Sequence, residues 1–146
     1  MRPRPQGSIS LPILALGLFL LSGSTPMTSQ TPPQAPSRLA VLWTSGDPEV
    51  ALNVAFMYTL NARRQGWFDE VTLIVWGPSA KLLSRHPELQ AAVAQMSEAG
   101  VDVVACKACA DGYGVSETLE GLGIEVKYMG EPLTRMLKDG WKVITF

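Results

Sequence analysis

Two cysteines stand three positions apart in this chain, Cys106 and Cys109, and they are the side chains best suited to chemistry. Cys106 follows an apolar run, Val101-Asp102-Val103-Val104-Ala105, and Cys109 falls at or near the start of the helix expected next. Unpaired N–H groups and the positive end of a helix dipole favour the thiolate there, and the thiolate is the nucleophilic form of sulfur. Lys107 adds positive charge beside the pair. The arrangement suits a sulfur nucleophile or persulfide carrier at Cys106, with Cys109 as a resolving or disulfide partner. Small buried hydrophobes, or an inert disulfide in an exported protein, are the plainer readings of the same residues. A thioredoxin-like redox motif also uses Cys-x-x-Cys, but it normally follows an early strand. Here three strand-like runs precede it. Two cysteines and the single His86 do not supply the four ligands of a structural metal site.

Other candidates are weaker. Ser45-Gly46-Asp47 lacks the glycine pattern of a phosphate loop. Asp47 reads better as a helix N-cap, with Pro48 in the first helical position where its missing N–H costs nothing. Trp43, Thr44, Ser45, Trp76, Gly77 and Lys107 could line a pocket near the cysteines. No Ser/His/Asp set or paired carboxylates can be assembled around one histidine and scattered acids, and no cofactor is implied. The formal net charge of -1 gives no electrostatic case for nucleic acid, which calls for a basic face. With 47% hydrophobic and 17% charged residues, the chain has the composition of a packed domain.

The elements that must position these residues follow from periodicity. The continuous apolar run at 39–43 and the similar run at 71–76 have strand length and suit strands buried on both faces; 101–105, alternating only at Asp102, 124–128 and 141–146 are the other strands expected. Between them, apolar residues recur at helical spacing. One helix is expected from Pro48 to Gly66, a short one over 79–84, and another from Pro87 to Gly100. A fourth is expected over 110–122 and a last one over 132–138. Alternating strands and helices with short connections predict an α/β fold with right-handed crossovers and a parallel sheet. Ligands of such sheets bind outside the carboxyl ends of the strands, which gathers residues 44–47, 76–79, 106–109 and 129–131.

The first 37 residues stand apart. Arg2 and Arg4 precede an almost unbroken apolar stretch over 11–21, and the small residues Ser22, Gly23 and Ser24 follow. This is the pattern of a secretory signal peptide over 1–24, and the apolar stretch falls short of the roughly 20 residues a permanent membrane span needs. Cleavage after Ser24 is preferred over a retained N-terminal anchor, leaving no membrane span in a periplasmic or otherwise exported protein. Pro26, Pro32, Pro33 and Pro36 among Ser, Thr and Gln make 25–37 a flexible linker, so 38–146 is expected to be the one folded domain.

The succession of elements, together with Val103-Val104-Ala105-Cys106-Lys107-Ala108-Cys109-Ala110-Asp111-Gly112-Tyr113-Gly114-Val115, resembles the DsrE/DsrF-like family of sulfur-relay and YchN-like proteins. In that family a cysteine ends the third strand, and a glycine and an apolar residue follow about eight positions on. Cys106 with Gly114 and Val115 matches this pattern, and Cys109 matches a second cysteine found in some members. The resemblance covers 38–146 and implies a three-layer α/β/α domain with a mostly parallel five-stranded sheet, assembled as a trimer or hexamer. It also implies a persulfide carried on Cys106, received from a sulfur donor and passed to an acceptor protein. Relay members act in the cytoplasm, whereas this chain carries an export signal, and an oxidising compartment favours a Cys106–Cys109 disulfide. Two alternatives therefore stand beside a sulfurtransferase-like carrier. One is a non-catalytic oligomeric module that binds a small ligand and has structural cysteines; the other is a thiol-disulfide redox protein.

Overall fold

A computed structural model describes residues 35–146; the expected signal peptide and most of the expected linker lie outside the described residues. The expected linker ends within them, and there Ser37 is tied to the fold. Its carbonyl accepts from the N–H groups of Asp69 and Glu70, and its own N–H and hydroxyl donate to Asp69 Oδ2 at 2.7 and 2.9 Å.

The five expected strands are present: β1 (Arg38–Trp43), β2 (Glu70–Val75), β3 (Asp102–Cys106), β4 (Glu125–Lys127) and β5 (Lys142–Thr145). They make one sheet in the order β4-β3-β2-β1-β5, and every pairing is parallel. This order fixes where the helices lie. Three successive crossovers, β1 to β4, step in one direction, so right-handedness puts their helices on one face. The fourth crossover runs back from β4 past β1 to β5, so the helix it carries covers the other face.

The first face is covered by α1 (Pro48–Val50), a π-helical segment (Ala51–Phe56), α2 (Met57–Arg64), α3 (Pro78–Leu83), α4 (Pro87–Glu98), α5 (Lys107–Tyr113) and α6 (Ser116–Gly121). Leu39, Val41, Trp43, Leu73, Val75 and Val103 pack here against Phe56, Leu89, Val93, Met96 and Leu119. The second face is covered by α7 (Gly130–Lys138), whose Leu133 and Met136 pack on Ala40, Ile74, Val104 and Cys106. Leu73, Ile74 and Val75 are consecutive and fully buried, as only a strand covered on both faces allows. The architecture is the expected α/β/α one, with a sheet that is wholly parallel.

Two local departures concern the helices. The helix expected over 48–66 contains the π-helical turn, which inserts a wider register between α1 and α2. The helix expected over 110–122 starts earlier, at Lys107, and is two helices. Gly114 breaks it with φ 66 and ψ 34, the left-handed conformation that glycine adopts without penalty. Among the described residues, no helix is long and apolar enough to cross a membrane.

Candidate functional site

Parallel register carries the carboxyl ends of β1, β2 and β3 to one edge: Trp43 pairs with Val75, and Val75 with Ala105. Cys106 is the last residue of β3 and the N-cap of α5, so the chain turns from strand to helix at the sulfur-bearing residue. Because Val103 and Ala105 face the α1–α6 side, alternation points Val104 and Cys106 to the α7 side. There Cys106 is 3% exposed, among Val104, Ile74 and Met129. Cys109, in the first turn of α5, packs at the edge of the same cluster and is half-buried. Both are free thiols.

The electrostatics of Cys109 have three sources. Burial pushes its pKa above the ordinary 9.0 by penalising the charged form. The backbone N–H of Gly77 opposes this by donating to the sulfur, and a hydrogen bond with the Cys106 side chain raises the pKa again.

Gly77 reaches Cys109 from the turn after β2. It caps α3 with φ 68 and ψ -134, a region that only glycine enters freely. Ser79, fully buried, holds that turn. Its hydroxyl lies 2.6 Å from the Trp43 carbonyl and 3.0 Å from the Trp76 carbonyl, and it accepts from the Trp76 N–H at 3.0 Å. The Trp76 N–H also donates to the Trp43 carbonyl at 2.9 Å. Ser79 thus ties the end of β1 to the turn that carries the Gly77 amide.

The other expected residues are dispersed. Trp43 has no exposed surface and packs edge-on against Phe56, with ring centroids 4.8 Å apart, so it lines no pocket. Thr44 donates its N–H and hydroxyl to the Phe146 carbonyl, and Ser45 donates its N–H to the same oxygen. Trp76 is half-buried beside the cysteines in the α7-side cluster. Lys107 pairs with Asp111 at 3.1 Å, and this bond raises its pKa. Its charge is therefore directed along α5. Asp111 also accepts from Ser116 at 2.5 Å; that bond first, and Lys107 second, lower its pKa. The cavity nearest the cysteine helix, about 390 Å³, is lined by Asp111, Gly114, Ser116, Glu117 and Thr118.

Sequence reasoning gathered Ser79 and Met129 among the strand-end residues but gave neither a role; Met129 is 1% exposed in the cysteine cluster. A serine next to Gly77-Pro78 was the available signal for the first; for Met129 there was none beyond its position at a strand end. Among the described residues, no three His, Cys, Asp or Glu side chains gather as metal ligands.

Comparison with known proteins gives this geometry a context. The profile of the DsrE/DsrF-like family matches residues 38–146. A conserved protein of unknown function, BT1422 from Bacteroides thetaiotaomicron, is 35% identical, with a TM-score of 0.72 over 75% of this chain and 95% of that one. The ychN protein of E. coli shares the fold at 19% identity and a TM-score of 0.62, over 75% of this chain and 99% of its own. MTH1491 of Methanobacterium thermoautotrophicum, also of unknown function, does so at 19% and 0.60, with the same coverage. No curated protein shows significant similarity to the chain.

Proposed function

Because the chain belongs to the DsrE/DsrF-like family, we propose that it is an exported sulfur carrier that holds a persulfide on Cys106, assisted by Cys109. The observation that carries this reading is a free cysteine at the carboxyl end of β3, with a second free cysteine packed against the same cluster. In the reaction, a cysteine thiolate attacks the outer sulfur of a donor persulfide and the donor leaves as a thiolate. An acceptor thiol later takes the sulfur by the same kind of displacement, so no cofactor is needed. Export rests on the basic and apolar pattern of residues 1–24, and the protein is a homo-oligomer in this reading, as the family resemblance implies. A donor carrying labelled sulfane sulfur tests the proposal. Wild-type protein takes up the label and Cys106→Ala does not; equal uptake by the variant refutes it.

The packing of both free cysteines in one cluster also favours a second reading, a thiol-disulfide redox protein. That reading requires catalytic turnover of a dithiol substrate, and a reducible Cys106–Cys109 pair without turnover sinks it.

A further inference from the structure

The sulfur-carrying reading meets an obstacle in the burial of Cys106. At 3% exposure, enclosed by Val104, Ile74 and Met129, its sulfur cannot be approached in line by a donor from solution. Cys109 differs on both counts that matter. It is half-buried, and it packs against the cluster that encloses Cys106, three residues away in the chain. We infer that Cys109 is the thiol that meets the donor, a low-molecular-weight persulfide, and that it passes the sulfane sulfur inward to Cys106. This inference rests on the sulfur-carrying reading.

The chemistry balances in two displacements. Cys109, as thiolate, attacks the outer sulfur of R–S–SH; the S–S bond of the donor breaks, and R–S⁻ leaves with the electron pair and takes up the proton that Cys109 gave up. Cys109 then bears –S–SH. Cys106, as thiolate, attacks the outer sulfur of that group, a new S–S bond forms on Cys106, and Cys109 departs as thiolate. The proton released by Cys106 returns to Cys109. The sum is R–SSH plus Cys106–SH giving R–SH plus Cys106–SSH, with no net oxidation. The Gly77 N–H has a part in both steps, because Cys109 bears negative charge as attacker in the first and as leaving group in the second. Afterwards the persulfide lies in the apolar cluster, and the same two displacements run in reverse, out through Cys109, give the sulfur to an acceptor thiol.

Two measurements on the reduced protein test this. Limited iodoacetamide treatment of the native protein, followed by peptide mapping, is expected to label Cys109 at least about tenfold faster than Cys106. Glutathione persulfide is then offered to wild type, Cys109→Ser, Cys109→Ala and Cys106→Ser. All are first checked for an unchanged circular dichroism spectrum, and the two Cys109 variants guard against a defect peculiar to one side chain. Wild type is expected to gain about 32 Da on Cys106, Cys106→Ser to keep that mass on Cys109, and both Cys109 variants to load at least about tenfold more slowly. Loading of Cys106 at the wild-type rate in the Cys109 variants overturns the order while leaving sulfur carriage intact. Release of sulfide with a Cys106–Cys109 disulfide overturns the inward transfer. A wild-type protein that takes no sulfur overturns the carrier reading itself and the order with it, even if Cys109 alkylates first.

Discussion

Replacing Gly77 by alanine tests the backbone geometry that aims an amide at Cys109. Gly77 has φ 68 and ψ -134, and a Cβ built there meets nothing within 4 Å, so the cost of alanine is conformational rather than steric. A glycine-only region costs a non-glycine residue up to about 3 kcal/mol, and the stiffer unfolded chain returns about 0.7 kcal/mol. The expected net loss is therefore about 2 kcal/mol. Gly114 serves as the internal control. It too has an open Cβ direction, but its φ 66 and ψ 34 lie in the left-handed helical region, where alanine costs about 1.5 kcal/mol before the same return. Gly114→Ala is thus expected to lose about 1 kcal/mol. Urea titration with unchanged slope measures both, and the midpoint temperatures should fall by about 8 and 4 °C. A second readout separates aim from stability. In Gly77→Ala, relaxation of the strained backbone turns the N–H of that residue off Cys109 and removes the one contact that lowers its pKa. Native alkylation at pH 8 therefore slows, whereas Gly114→Ala leaves it unchanged. Equal losses in the two variants, or an unaltered Cys109 rate in Gly77→Ala, would refute the role given to this turn.

Further expectations concern the same edge and the base of the sheet. Ser79→Ala removes a buried hydroxyl that joins β1 to the Trp76–Gly77 turn, but the Trp76 N–H keeps the Trp43 carbonyl. The loss in urea titration is therefore about 1–2 kcal/mol, and less than about 0.5 kcal/mol would show that the hydroxyl holds nothing. The alkylation rate of Cys109 in the native protein is expected to rise with pH through and beyond 9.0, since burial raises its pKa; a plateau below pH 8 contradicts this. Asp69 has its pKa held below the ordinary 3.8 by the Ser37 backbone N–H first and its hydroxyl second. A depressed carboxylate stabilises the fold fully above the unfolded value and loses that contribution as pH falls through the folded one. The stability of Asp69→Asn should accordingly depend less on pH below about 4 than that of wild type, as followed by urea titrations from about pH 5 to 2.5.

Strand positions were legible because buried parallel strands are written as continuous apolar runs. Residues 39–43, 71–76 and 101–105 needed shifts of only a residue at their ends. Crossover handedness then made the sheet parallel and brought the strand ends together without further information. Helix interiors were less legible. A π-helical turn leaves the apolar spacing of residues 51–56 close to that of an α-helix, so the pattern cannot announce it. Gly114 could be read as a weak helix former but not as a break, because the spacing of apolar residues over 110–122 runs on past it. The relative burial of the two cysteines was not written in their spacing at all. It depends on α5 starting at Lys107, which leaves Cys106 in strand alternation facing α7 and rotates Cys109 toward the edge. Lys107 illustrates the reverse case: its four-residue spacing to Asp111 was visible in the chain and forms the ion pair that helical geometry predicts.

The central claim is that Cys106 carries sulfur, and the mass of the protein taken from its own compartment tests it most directly. Intact mass and peptide mapping, with and without reductant, are expected to find about 32 Da added to the Cys106 peptide and lost on reduction. Two free thiols that stay unmodified when a persulfide donor is supplied, or a loss of about 2 Da joining Cys106 to Cys109 that never takes up sulfur, would contradict it.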